Sequence, residues 1–116
     1  MAQRLALRTQ DSALALEIPV PTPSPVLDQL YATIRRRQAD APAGSYTARL
    51  FAEGRARIAQ KVGEEALEVA LASVQGQDDR VVYESADLLY HLLVLLAEHD
   101  IPPETIYNEL ERRMKP

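Results

Sequence analysis

The chain has 116 residues, 47% of them hydrophobic and 26% charged, with a net charge of −4, which describes one domain able to bury a core without covalent staples. Cysteine is absent, so a disulfide framework, a thiolate zinc site and a cysteine nucleophile are excluded. The acidic balance argues against a nucleic-acid partner, no apolar run approaches the ~18 residues of a membrane span, and Arg4 and Arg8 precede no apolar signal core, so a cytoplasmic protein is expected.

Residues 1–43 carry a net charge of +1 and residues 44–116 a net charge of −5. Pro19, Pro21, Pro23 and Pro25 alternate, which forbids helix and favours stiff extended chain. Residues 1–24 are therefore expected to be an N-terminal extension and Pro-rich linker, and residues 25–116 a helical domain. Val26, Leu27, Leu30, Tyr31 and Ile34 recur at helical spacing, which predicts an amphipathic helix over 25–39. Ala41-Pro42-Ala43-Gly44 breaks it. Ser45 is a good N-cap for a short helix bearing Tyr46, Ala48, Leu50 and Phe51. Gly54 ends that helix. A long helix follows from Arg55 to Val74 with Gly76 as its cap, then a second long helix over 79–99 capped by Asp78. Pro102 and Pro103 open a last helix whose Ile106 and Leu110 are expected to face inward.

The fold class expected is all-α, an antiparallel helical bundle of about four to five helices. Leu88, Leu89, Leu92, Leu93, Val94, Leu95 and Leu96 cover most of the fourth helix. A helix apolar nearly all round needs burial nearly all round, and a chain this short has difficulty surrounding it. A homodimer that uses this helix is expected.

The chemistry is carried by carboxylates that interrupt these patterns. Lys61, Glu65 and Glu68 share a stripe of the third helix, and Glu64 lies one turn before Glu68. Carboxylates so close repel by about 0.2–0.5 kcal/mol per pair. Glu84, Asp87 and His91 share a stripe of the fourth helix. If the two helices pack antiparallel, as their short connection favours, Glu65 and Glu68 face Glu84 and Asp87. Four carboxylates in a desolvated groove are costly unless a cation neutralises them. An all-oxygen set suits Mg²⁺, with Mn²⁺ as the alternative. Mg²⁺ so held keeps positions open for water and phosphates, which points to phosphate chemistry. The plainer alternative is a solvated acidic helix face.

Ser45-Tyr46-Thr47-Ala48-Arg49-Leu50, then Gly54, then Ile58-Ala59-Gln60-Lys61-Val62-Gly63-Glu64-Glu65-Ala66-Leu67-Glu68 resembles the phosphoribosyl-ATP pyrophosphatases. So does Glu84-Ser85-Ala86-Asp87-Leu88-Leu89-Tyr90-His91-Leu92-Leu93-Val94-Leu95-Leu96. The resemblance covers residues 26–113. The wider group is the all-α nucleoside-triphosphate pyrophosphatases, whose Glu-x-x-Glu and Glu-x-x-Asp motif falls on Glu65, Glu68, Glu84 and Asp87; Glu64 matches a further acidic position. The resemblance implies a Mg²⁺-dependent helical homodimer. It implies hydrolysis of 1-(5-phosphoribosyl)-ATP to 1-(5-phosphoribosyl)-AMP and pyrophosphate, the second step of histidine biosynthesis.

On this reading the catalytic residues are Glu64, Glu65 and Lys61, with Glu64 or Glu65 orienting or deprotonating the attacking water. Lys61, Arg49, Arg55, Arg57 and Tyr46 are candidates to bind the nucleotide substrate. Plainer roles compete. Lys61 can simply pair with Glu65, Arg55 and Arg57 can face solvent, and Tyr46 and Tyr90 can be core packing. His91 reads as a hydrogen-bonded core histidine, His99 as a helix C-cap, and Arg35-Arg36-Arg37 as a solvated helix end. Two rival functions use the same chain: a house-cleaning nucleotide pyrophosphatase and a non-catalytic helical dimerisation module. A di-iron bundle wants Glu-x-x-His pairs, which neither histidine supplies.

Overall fold

The computed structural model describes residues 25–116; the expected extension and linker at 1–24 lie outside the described residues. The described chain forms α1 (Pro25–Asp40), α2 (Tyr46–Glu53), α3 (Arg55–Val74), α4 (Asp78–Glu98) and α5 (Pro103–Met114). Among the described residues there is no strand, as the all-α expectation requires. No described helix is long and apolar enough to cross a membrane.

The helix ends follow from local chemistry. The Ser45 hydroxyl accepts the Ala48 N–H at 3.1 Å and caps α2. Gly54 then serves two helices. Its N–H bonds the carbonyls of Leu50 and Phe51, closing α2, while its carbonyl accepts from Arg57 and Ile58, opening α3. This double role requires φ 99° and ψ 171°, a region essentially confined to glycine. The α3 terminus is a Schellman motif. Gly76, at φ 69°, donates to Ser73, and Gln77 donates to Ala72. The cap is thus Gln75, with Gly76 one position beyond, and α4 starts from Gln77 rather than Asp78. Asp78 and Asp79 instead occupy the first turn of α4, where carboxylates complement the helix dipole.

The short connection folds α4 back along α3. Arg55 meets Glu98, Glu65 lies by Glu84 and Asp87, and Glu68 meets Arg80, so numbering runs oppositely along the two helices. The core lies at one end of this hairpin. Ile34 of α1, Leu50 of α2, Ile58 of α3 and Leu93, Val94, Leu96 and Ala97 of α4 form one buried cluster, flanked by Leu27, Leu30, Tyr31, Phe51, Tyr90, Leu95 and Ile101. Each fully buried aliphatic side chain contributes about 1.5–3 kcal/mol.

Arg35, expected at a solvated helix end, ties α1 to the α4 terminus. It donates to the Ala97 carbonyl at 2.8 Å and to Asp100 at 3.0 Å. Asp100 itself sits at φ 57° in a second Schellman motif, with Ile101 donating to Leu96. His99 is the C-cap residue of α4.

The last helix corrects one expectation. Pro103 is buried and Tyr107, half-buried, donates to Asp28 at 3.1 Å. Ile106 and Leu110 are 39% and 48% exposed in the single chain. The cause is that α5 leans on α1 along its Pro103–Tyr107 edge, which turns Ile106 away and leaves Leu110 on the wall of an open groove beside Tyr31 and Met114.

Gly54→Ala should lower stability by about 1–3 kcal/mol. A Cβ there meets nothing within 4 Å, so the cost is conformational. Urea unfolding followed by circular dichroism should show a lower midpoint with an unchanged slope; an unchanged midpoint would contradict the strain.

Candidate active site

Midway along the hairpin, where the shared core gives out, α3 and α4 place their carboxylates against each other. One carboxylate oxygen from each of Glu65, Glu84 and Asp87 lies within 4.8 Å of the others. Glu65 and Glu84 are only 8% and 6% exposed. This is an all-oxygen donor set that could hold a hard divalent cation. Glu68 is brought to the same groove but not into that tight group; it pairs with Arg80 at 3.7 Å.

Two basic side chains flank the cluster. The Lys61 ammonium lies 3.4 Å from both Glu64 and Glu65. Burial works against its charge, but the nearby Tyr46 and the hydrogen bonds to Glu65 and Glu64 outweigh it and hold its pKa above the ordinary lysine value. On the other side, Arg80 donates to Glu84 at 2.7 Å. Sequence reasoning passed over Arg80. Its available signal was a basic residue in the first turn of a helix, where the dipole disfavours one, four residues before a buried glutamate.

The electrostatics separate the carboxylates. Desolvation is the main cause that raises the Glu84 pKa above its usual value; the charges of Glu65 and Glu68 add to it, and Arg80 opposes it. Glu64 is exposed and shifted the other way, chiefly because Gln60 donates to it at 2.8 Å, with Lys61 and Arg57 assisting. Glu64 is therefore held ionised at the rim while Glu84 is pressed toward protonation inside.

The short helix α2 closes one flank. The Tyr46 hydroxyl lies 2.9 Å from His91 Nε2, and His91 Nδ1 lies 2.8 Å from the Asp87 carbonyl. A carbonyl only accepts, so Nδ1 donates and Nε2 accepts from the tyrosine. His91 is thus the buried, hydrogen-bonded histidine expected, and it links Tyr46 to the turn that carries Asp87. Thr47 hydrogen-bonds Tyr90 alongside, which holds Tyr90 in packing rather than at an open face.

The arginines divide. Arg49 lies 5.2 Å over the Tyr46 ring and pairs with Glu53. Arg57 also pairs with Glu53 and influences Glu64, so Arg49, Arg57 and Tyr46 border the carboxylate groove. Arg55 is not brought there; it pairs with Glu98 at 3.3 Å near the other end of the hairpin.

Glu84→Gln should raise the melting temperature of the protein in EDTA at neutral pH. A carboxyl whose folded pKa lies above its unfolded value costs stability once ionised, a cost that grows as pH rises from the unfolded value through the folded one. The advantage of the amide should therefore vanish on acidification through the carboxylate range. A lower melting temperature for the variant at neutral pH would refute the desolvation argument.

Residues 27–114 match the sequence model of the family described as phosphoribosyl-ATP pyrophosphohydrolase. The chain is 51% identical over 88 residues to the phosphoribosyl-ATP pyrophosphatase of Trichlorobacter lovleyi, covering 76% of this chain and 82% of that protein. It is 50% identical over 94 residues to the phosphoribosyl-ATP pyrophosphatase of Rhodospirillum rubrum, covering 80% of each. It is also 51% identical over 90 residues to the histidine biosynthesis bifunctional protein HisIE of Caldanaerobacter subterraneus subsp. tengcongensis, covering 78% of this chain and 44% of that larger protein. A match of this extent, spanning both helices that build the carboxylate groove, shows that the chain belongs to the phosphoribosyl-ATP pyrophosphohydrolase family.

Proposed function

We propose that this chain hydrolyses 1-(5-phosphoribosyl)-ATP to 1-(5-phosphoribosyl)-AMP and pyrophosphate, the second step of histidine biosynthesis, in a Mg²⁺-dependent reaction. The observation that carries the reading is the convergence of Glu65, Glu84 and Asp87 within 4.8 Å in a chain of this family. These three residues, with Glu68 beside them, would hold Mg²⁺ or Mn²⁺. Such an ion supplies charge neutralisation and Lewis acidity toward phosphate oxygens.

The chain's own groups do the positioning, which is most of what phosphoryl transfer asks of a protein. Lys61 keeps Glu65 and Glu64 in place through its two 3.4 Å contacts, and its ammonium is available to the triphosphate. Glu64, ionised and exposed at the rim, orients the attacking water as an acceptor. Glu65 is the second candidate for that proton. Arg49 and Arg57 offer guanidinium groups to phosphate or ribose 5-phosphate, and the Tyr46 ring, fixed through His91, offers a face to the base. The position of Arg55 argues for a structural pair instead.

The protein acts as a homodimer on this reading. Leu67, Leu71 and Val74 form an i, i+4, i+7 stripe on α3, and Val82, Tyr83 and Leu89 lie on α4; all are exposed in the single chain, Val74 to 80%. Leu92 of the apolar fourth helix is exposed as well. A second copy would cover these exposed apolar side chains.

A pyrophosphate-release assay tests the activity. Phosphoribosyl-ATP should be cleaved only with Mg²⁺ present, and in preference to dUTP, dCTP and ITP; preference for a free nucleotide would favour a house-cleaning enzyme. Glu84→Ala and Asp87→Ala should each lower kcat/KM by about a hundredfold or more; full activity in both would refute the role of these carboxylates, and no pyrophosphate release by the wild type from any of these nucleotides would leave a non-catalytic helical module. For the dimer, Leu67→Asp should yield a monomer by light scattering while the wild type weighs two chains.

A further inference from the structure

Arg80 is misplaced by the rules of helices. It sits at the third position of α4, whose first turn also holds Asp78 and Asp79, at the positive end of the dipole, where a cation is disfavoured. What holds it there is the carboxylate groove. Its guanidinium nitrogen is 2.7 Å from Glu84 Oε2 and 3.7 Å from Glu68 Oε1, so it bridges the two long helices. The two flanking cations differ in how firmly they are seated. Each contacts two carboxylates, but the Lys61 side chain is 18% exposed and the Arg80 side chain 52%. Lys61 is built into the groove; Arg80 reaches in from solvent and can leave at little packing cost.

We propose that Arg80 is an exchangeable counter-cation: it occupies the Glu84 carboxylate when no divalent ion is bound, is displaced when one binds, and is then free to contact the substrate's phosphates. This rests on the reading of Glu65, Glu84 and Asp87 as ion ligands. The chemistry is direct. Glu84 is buried and its charge needs a partner at all times. A guanidinium and a divalent ion drawn to one carboxylate repel each other as like charges at close range, so the two compete for Glu84. Arginine suits both states, because its planar fork pairs with carboxylate and phosphate alike. The device keeps the buried charge paired while the groove waits for its ion, and it delivers a positive group to the groove at the moment the anionic substrate needs one.

The competition makes opposite predictions for two measurements on Arg80→Gln. Mn²⁺ binding to the substrate-free protein, measured by calorimetry or electron paramagnetic resonance, should tighten by about threefold to tenfold, because the competitor is gone. KM for phosphoribosyl-ATP at saturating Mg²⁺ should rise by a similar factor, because a phosphate contact is gone. A merely structural arginine would weaken both. Arg112→Gln, which removes the same charge from an exposed pair with Glu109 on α5, should change neither and controls for net charge. In the wild type, the Arg80 side-chain Nε resonance, assigned by its loss in Arg80→Gln, should move on titration with Mg²⁺.

Mn²⁺ affinity unchanged or weakened in Arg80→Gln, with wild-type binding intact, would overturn the exchange alone. Tighter Mn²⁺ binding with unchanged KM would overturn the phosphate contact. Absence of Mn²⁺ binding to the wild-type protein would overturn the ion-ligand reading itself, and this inference with it.

Discussion

The crowding of like charge between two packed helices is the constraint around which this protein is organised. Bringing Glu65, Glu84 and Asp87 together in a desolvated groove opposes folding, and the raised Glu84 pKa records that opposition. A soluble domain normally places such residues on a solvated face. Here the hairpin of α3 and α4 forces them inward, and everything near them answers the resulting field. Lys61 leans in from one side, Arg80 from the other, and Gln60 steadies Glu64 at the rim. Concentrated negative charge held in place by a rigid scaffold is what a polyvalent cation and its phosphate ligand exploit.

The scaffold's rigidity comes from the opposite end of the hairpin. Ile34, Leu50, Ile58 and the Leu93–Ala97 turn lock α1 and α2 onto α3 and α4, and Arg35 clamps the terminus of α4 through the Ala97 carbonyl and Asp100. The groove lies where this core ends. On its far side the hairpin carries Leu67, Leu71, Val74, Val82 and Tyr83 without cover in one chain. The carboxylates therefore stand between a finished core and an unfinished apolar surface. A site at such a border combines a fixed backbone with an opening through which a large anion can approach.

Within the groove the supporting contacts join separate elements. Tyr46 on α2 bonds His91, and His91 bonds the carbonyl of Asp87. The orientation of the turn bearing one carboxylate is thereby coupled to the ring that Arg49 covers. Contacts of this kind hold the α2 flank and the carboxylate flank of the groove in a fixed relation.

Much of this was legible in the residues alone. Helical periodicity, Ser45 and Gly54 set the elements to within a residue or two, and the Glu-x-x-Glu and Glu-x-x-Asp spacings named all the carboxylates that converge. These are local quantities: capping, periodicity and composition act within one or two turns, so the sequence by itself determined them. The run of leucines on α4 is largely covered within one chain: Leu93, Val94 and Leu96 are buried, and of the seven residues of the run Leu89 and Leu92 are the exposed ones. Arg80, Arg35 and the Tyr46–His91 link were decided only by the tertiary structure, as were the exposure of Ile106 and Leu110 and the separation of Arg55 from the groove. Each depends on the rotation and crossing of helices about their axes. A few tens of degrees turn a charged side chain from a solvent-facing neighbour on its own helix into the partner of a buried carboxylate on another, and no spacing within a single helix encodes that angle.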